Sequence, residues 1–222
     1  WLASYADHPQ APRIYKLALT RRGSANYPKK PVGSYVSGAG YDYENITPYY
    51  HKSSKKLSSK QRSRVATLKS RIRHRIGSGW PTGALEVLES DEAQRLFDAY
   101  EQDHAKAAIA SGYYYFGKPD LALKYAGEAA KRSGKYLPQA HWTAGLTAWR
   151  LGKMDESHAH FAALSTNKYA SSWTRTAGAF WAGRIDLAAG RFEEADAMLN
   201  RAAEYPRSFY GQLAMRALGR DD

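Results

Sequence analysis

The chain has 222 residues, is 43% hydrophobic and carries a formal net charge of +12. It is long enough to bury a core, as one large unit or two small ones, and too apolar to be disordered throughout. No apolar run approaches the ~18 residues of a membrane-spanning helix, and the absence of cysteine excludes a disulfide framework, Cys-ligated zinc and a thiol nucleophile. The chain starts at Trp1 with neither Met nor a signal segment, as expected of a processed or trimmed piece.

The charge is uneven. Residues 1–76 hold 16 Lys and Arg against Asp7, Asp42 and Glu44, a local +13, whereas residues 77–222 hold 17 against 18 acidic residues. Such asymmetry suits an anionic partner, and equally a solvated basic arm.

In chain order, the first segment spans residues 1–23. Ile14, Leu17 and Ala18 recur at helical spacing, Pro12 suits a first turn, and Gly23 suits a stop, which predicts a helix from about Ala11 to Arg22. A loop rich in Pro, Gly and Tyr follows over residues 24–59. Pro28, Pro31 and Pro48 break any periodicity, and the stretch is expected to be poorly ordered unless something holds it. Its tyrosines include Tyr27, Tyr35, Tyr41, Tyr43, Tyr49 and Tyr50. Those mixed with lysine in PYYHKSSKK can stack on sugars or bases, or pack onto their own domain.

Lys60 to Ile76 reads as a basic amphipathic helix with Val65, Leu68, Ile72 and Ile76 as its apolar stripe. A short helix led by Pro81 follows, carrying Ala84, Leu85 and Leu88. Ser90 is placed to cap a further helix over Asp91–Tyr100. Helices are then expected at roughly 101–116, 119–132, 137–151, 154–165, 171–189 and 192–204, with one more near Phe209, Leu213 and Leu218.

These later helices repeat. Gly117, Gly152 and Gly190 are turn glycines 35 and 38 residues apart. Seven residues before them stand Ala110, Gly145 and Gly183, and five after them Ala122, Ser157 and Ala195, all small. Nine after come Ala126, Phe161 and Leu199, and twelve after come Ala129, Leu164 and Ala202. Gly79 begins a degenerate fourth unit, with Ile72 in the small slot. The register resembles the tetratricopeptide repeat, in which small residues let a helix pair cross closely. The fold class expected is all-α, an α-solenoid of TPR-like repeats over residues 60–222. The aromatics Tyr113, Tyr114, Tyr115, Phe116, Trp142, Trp149, Trp173, Phe180 and Trp181 are expected in its core.

Residues that could carry chemistry are sparse. His158 and His160, two apart on a helix, diverge and cannot share one metal, while His104 and His141 stand isolated. There is no Gly-rich phosphate loop, and no nucleic-acid motif accompanies the basic third. Neither a metal nor a cofactor is expected. Asp155, Glu156, Glu193 and Glu194 lie in first helical turns, where they suit the helix dipole.

Several segments together carry a resemblance. GWPTGALEVLES, DHAKAAIASGYYYFGKPDLALKYAGEAAKRSGK, PQAHWTAGLTAWRLGK, TAGAFWAGR and YPRSFYGQLA resemble the helical, non-catalytic part of soluble lytic murein transglycosylases. YADHPQAPRIYKLALTRR resembles the segment before it. The resemblance covers nearly the whole chain apart from residues 24–59. It implies a superhelical scaffold in the periplasm, attached to a C-terminal catalytic domain. That family cleaves peptidoglycan without water, leaving a 1,6-anhydro ring, with one glutamate as acid and then base. The glutamate stands in a Glu-Ser dipeptide followed downstream by Gly-Leu-Met-Gln. Here Glu89-Ser90 is not followed by Gly-Leu-Met-Gln, which occurs nowhere in the chain, so no residue of this chain is assigned a catalytic role. The implied partners are glycan strands and the catalytic domain, with Lys55, Lys56, Arg71, Arg73 and Arg75 as candidate peptidoglycan contacts. The alternative is a TPR-like adaptor that takes a protein partner in its concave face.

Overall fold

The computed structural model describes residues 1–4, 6, 10–21, 23, 26–31 and 49–220. Among these residues the protein is all-helical, with eleven helices and no strand. The chain divides into two compact units, Trp1–Tyr43 and Glu44–Asp222.

The first unit contains α1 (Ala11–Arg21), followed by Gly23 in the left-handed region at φ 55°. Ile14 and Ala18 are half-buried, while Leu17 is exposed.

The second unit contains α2 (Ser59–Gly77), α3 (Pro81–Glu89), α4 (Asp91–Leu96), α5 (Ala99–Tyr115) and α6 (Pro119–Ser133). Then follow α7 (Pro138–Arg150), α8 (Met154–Ser165), α9 (Ser172–Ala188), α10 (Phe192–Ala203) and α11 (Phe209–Ala217). From α5 to α11 each helix packs on its neighbours in sequence, and α5 also contacts α7, as α9 contacts α11.

One turn is used repeatedly. Gly79, Gly117, Gly152 and Gly190 all adopt positive φ, between 71° and 78°. The next residue's N–H reaches back to the carbonyl five positions earlier: Trp80 to Arg75, Lys118 to Tyr113, Lys153 to Ala148 and Arg191 to Asp186, at 2.8–2.9 Å. This satisfies an orphan helical carbonyl, and glycine supplies the left-handed conformation without steric cost. A proline occupies the first position of α3, α6 and α7, where its missing N–H removes nothing.

The slots counted from those glycines are interior. Ala110, Ala122, Ser157, Ala195, Ala126, Phe161, Leu199, Leu164 and Ala202 are all buried. A Cβ on Gly145 would sit 2.8 Å from the Phe161 ring, and one on Gly183 would sit 3.1 Å from Leu199 Cγ. Each small residue therefore faces the large residue sixteen positions later, on the second helix of its own pair. Sinking a side chain such as Phe161 from water contributes roughly 1.5–3 kcal/mol, and only a residue without bulk opposite leaves room for it.

Two expectations are corrected. A single helix over Asp91–Tyr100 does not form. The chain breaks at Phe97 and Asp98, because Asp98 is the N-cap of α5 and shares a capping box with Glu101. Phe97, fully buried, fixes that break in the core. The aromatics also divide: Tyr113 and Phe180 are buried, and Trp142, Trp149 and Trp181 pack at the core's edge, but Tyr115, Phe116 and Trp173 are exposed. In the loop before α2, residues 32–48, with Tyr35, Tyr41 and Tyr43, lie outside the described residues, and Tyr49–Leu57 is a strap without regular secondary structure, held on the helices by specific contacts.

Candidate functional site: the basic helix and the strap beside it

α2 buries Val65, Leu68 and Ile72 with Ile76 half-buried, so its expected apolar stripe is the one that packs. Its N-terminus is fixed by a second capping box, between Ser58 and Gln61. With only a narrow stripe inside, the remaining faces carry the cations. Lys60, Arg64, Thr67 and Arg71 recur along one flank at steps of four, three and four. Arg64 grips Glu92 of α4 through two hydrogen bonds, Nε to Oε1 at 2.6 Å and Nη2 to Oε2 at 2.9 Å. Arg71 and Arg95 stand close enough to act on the same carboxylate. Glu92 is held below the usual carboxylate range, first by the hydrogen bond from Arg64 and then by these charges.

The five candidate cations have separate fates. Lys55 Nζ donates to the carbonyls of Gln94 and Arg95 at 3.2 and 2.6 Å, closing the C-terminus of α4. Arg75 donates to the Gly83 carbonyl and lies 4.5 Å over the Trp80 ring. These two ends are therefore occupied by the fold. Lys56, Arg71 and Arg73 are exposed. Arg71 and Arg73 occupy opposite flanks of α2, the first beside Glu92 and the second beside His104. Glu89 is exposed at the end of α3.

The strap crosses the start of α5. Asp98, only 4% exposed, accepts from His51 Nε2 at 2.9 Å and from the Ser54 backbone N–H at 2.8 Å on one oxygen, and from the Glu101 N–H on the other. Glu101 accepts from Lys69 Nζ at 2.7 Å and from the Asp98 N–H at 3.0 Å. Asp98 is held below its ordinary range despite burial, which opposes ionisation, because backbone N–H groups and His51 favour the anion. His51, Asp98 and Glu101 place ligand atoms within 4.8 Å of one another, the spacing of a metal site. Their oxygens are already satisfied, and the Lys69 ammonium supplies the positive charge there. The trio is a hydrogen-bonded clamp on the strap.

Aromatic rings hold the strap's leading end. Tyr49 stacks on Tyr136 at 4.2 Å between centroids and meets Tyr100 at 5.3 Å and Tyr169 at 5.4 Å. His51 stacks on Tyr100 at 4.1 Å. Tyr100 lies in the first turn of α5, and Tyr136 and Tyr169 lie in the junctions before α7 and α9, 36 and 33 residues further on in turn. That near-repeat was visible in the sequence, and the glycine register masked it. Tyr50, by contrast, points into solvent.

The histidines pair in unexpected ways. His158 and His160 diverge as their spacing requires: His158 reaches the buried Asp186 at 3.0 Å, and His160 lies 3.1 Å from His141, Nδ1 to Nδ1. His141 is thus not isolated. Burial, and then the neighbouring His160, push it down to about 4. Nineteen residues separate the partners on different helices, and no local pattern signals their meeting. Comparison with protein-family models, curated proteins and solved structures finds no match for this chain.

Proposed function

We propose that this chain is the non-catalytic scaffold of a periplasmic peptidoglycan lyase of the soluble lytic transglycosylase type. In this reading it is a TPR-like α-solenoid that positions a catalytic domain and contacts glycan strands. The observation that carries the reading is the ordered run of motifs, from GWPTGALEVLES to YPRSFYGQLA. They fall on successive pieces of the second unit: the first covers the α2–α3 turn and α3, and the last the approach to α11 and its body. Charge supports the contact with strands. Lys56, Arg71 and Arg73 are exposed, and many weak ionic contacts along a polymer sum to useful avidity.

The test uses purified chain and sacculi. Co-sedimentation that weakens as salt rises from about 50 to 300 mM, with no 1,6-anhydro-muropeptide released, is the expected result. Release of anhydro products that stops in Glu89→Gln, or no sedimentation at low salt, would contradict it.

A second reading, a TPR-like adaptor for a protein partner, draws on the strap. Tyr49–Leu57, without regular secondary structure, lies against α4, α5, Tyr136 and Tyr169, so this surface can hold a segment of irregular chain. Capture of a partner peptide by the chain, with sacculi ignored, would favour that reading.

A further inference from the structure

α2 and α4 enclose an open groove of about 670 Å³. Lys60, Ser63, Arg64 and Thr67 line it from α2, and Glu92 and Arg95 line it from α4. Arg71, one turn beyond Thr67, acts on Glu92 from the same side. Three cations, Arg64, Arg71 and Arg95, thus act on one carboxylate, and Lys60 lines the same groove. Glu92 saturates only Arg64, through a fork of two hydrogen bonds. The excess cations repel one another, and an added anion relieves that repulsion.

The chemistry of the lining narrows the ligand. Arg64 already displays how this groove holds a carboxylate, with two guanidinium nitrogens, Nε and Nη2, matched to its two oxygens. Ser63 offers a hydroxyl and Thr67, whose own hydroxyl donates to the Ser63 carbonyl, an acceptor oxygen; both suit a hydroxyl-rich chain, and the groove is open enough to admit a polymer. We propose that the α2/α4 groove is a binding site for carboxylate-bearing sugar polymers, with Glu92 as an internal competitor for Arg64. The assignment deepens the wall-binding reading, and rests on it only for the natural source of the polymer.

The competitor role gives the test its sign. Polygalacturonate, neutral dextran and polyphosphate are titrated into the full chain at low salt. Wild type is expected to bind polygalacturonate more tightly than either of the other two. Arg64→Gln combined with Arg95→Gln weakens that binding about tenfold, the loss of two ionic contacts. Glu92→Gln tightens it at least about threefold, because Arg64 is released. Glu193→Gln makes the same charge change on α10 and leaves binding within about twofold. All four substituted residues reach solvent, and a circular dichroism melt checks each fold.

Equal effects of Glu92→Gln and Glu193→Gln would overturn the groove, since charge alone would then account for binding. Dextran or polyphosphate binding as tightly as polygalacturonate would overturn the carboxylate assignment. The same variants on sacculi separate the two proposals. Polygalacturonate binding with the expected signs but no sedimentation upholds the groove and removes the wall reading. Sedimentation that ignores all three substitutions keeps the wall reading and removes the groove from it.

Discussion

The α2/α3 pair and the α9/α10 pair use the same turn and fill the crossing beneath it differently. In each, a left-handed glycine is followed by an N–H that reaches back five residues, Trp80 to Arg75 and Arg191 to Asp186. Seven residues before the glycine, α2 carries Ile72 and α9 carries Gly183. The α9 slot lets helices touch almost backbone to side chain, with Ala195 O 3.2 Å from where a Cβ would stand. α9 also approaches α8 closely: a Cβ on Gly178 would meet Phe161 O at 2.8 Å and Ser165 N at 3.0 Å. Helix α9 is therefore enclosed on two sides, and nine of its residues are buried. α2 buries three and leaves its cations in water, on Glu92 and Glu101 or, for Arg62 and Arg75, on backbone carbonyls. One hairpin geometry serves both as an interior rung and as a charged surface. Which it becomes depends on how many faces find a neighbour.

The largest effect should come from spoiling the enclosed pair. Gly178→Leu drives a side chain into backbone atoms of α8, which cannot yield as a rotamer can, and should cost about 3 kcal/mol in urea unfolding. Gly183→Leu meets mostly side chains and should cost roughly 1–3 kcal/mol, towards the lower end. Unchanged stability in either variant would place that slot at the surface and dissolve the contrast with α2.

A smaller effect should come from pH, acting within α7 and α8. The folded state holds His141 near 4 against an ordinary 6.5. His160 is lowered as well, by burial. The unfolded chain therefore takes up these protons first as pH falls. The stability concerned is intact above 6.5, declines as pH drops towards 4, and levels off below that value. The loss should be on the order of 1–2 kcal/mol, after discounting for the solvent that still reaches both rings. The Asp98 clamp acts in a lower window. Its folded value lies below the ordinary 3.8, so its contribution is lost only as pH falls through that depressed value. His141→Gln should flatten the slope between 6.5 and 4 in thermal melts. A slope unchanged by that substitution would assign the acid sensitivity elsewhere.

The smallest effect reverses sign. Gly127 sits within α6, and apart from its chain neighbours and the nearby backbone of α6 itself no atom lies within 4 Å of where its Cβ would stand. Gly127→Ala should stabilise by about 0.5–1 kcal/mol through helix propensity alone. Destabilisation would mean that α6 also packs on that side.

These contrasts show which parts of the molecule the sequence made legible. Turn glycines and the small residues facing large ones are demanded by local geometry, so counting from Gly117, Gly152 and Gly190 located the crossings. Met154–Ser165 came out with the expected bounds, since its turn and its apolar slots agree. The strap was not legible. Its contacts join residues more than forty positions apart, His51 to Asp98 and Tyr49 to Tyr136, and none follows a helical or strand period. Asp98 looked like an ordinary polar residue inside a helix, yet a buried cap accepting from the strap overrides that propensity. The cations were legible as a cluster but not in their roles. Whether an arginine meets water, a carbonyl or a carboxylate depends on helices packed from elsewhere. Lys55 and Arg75 are spent on carbonyls, and Lys56, Arg71 and Arg73 remain exposed.

That last division permits the most direct test of the charged-surface account. Lys56, Arg71 and Arg73 are replaced together by Gln, and sedimentation with sacculi is measured at low salt beside a thermal melt. The substitutions leave every buried slot intact, so the melting temperature should stay within about 2 °C. The bound fraction should fall at least about threefold, because three exposed ionic contacts are lost. Binding equal to wild type at an unchanged melting temperature would contradict the account, leaving the basic helix as a solvated face.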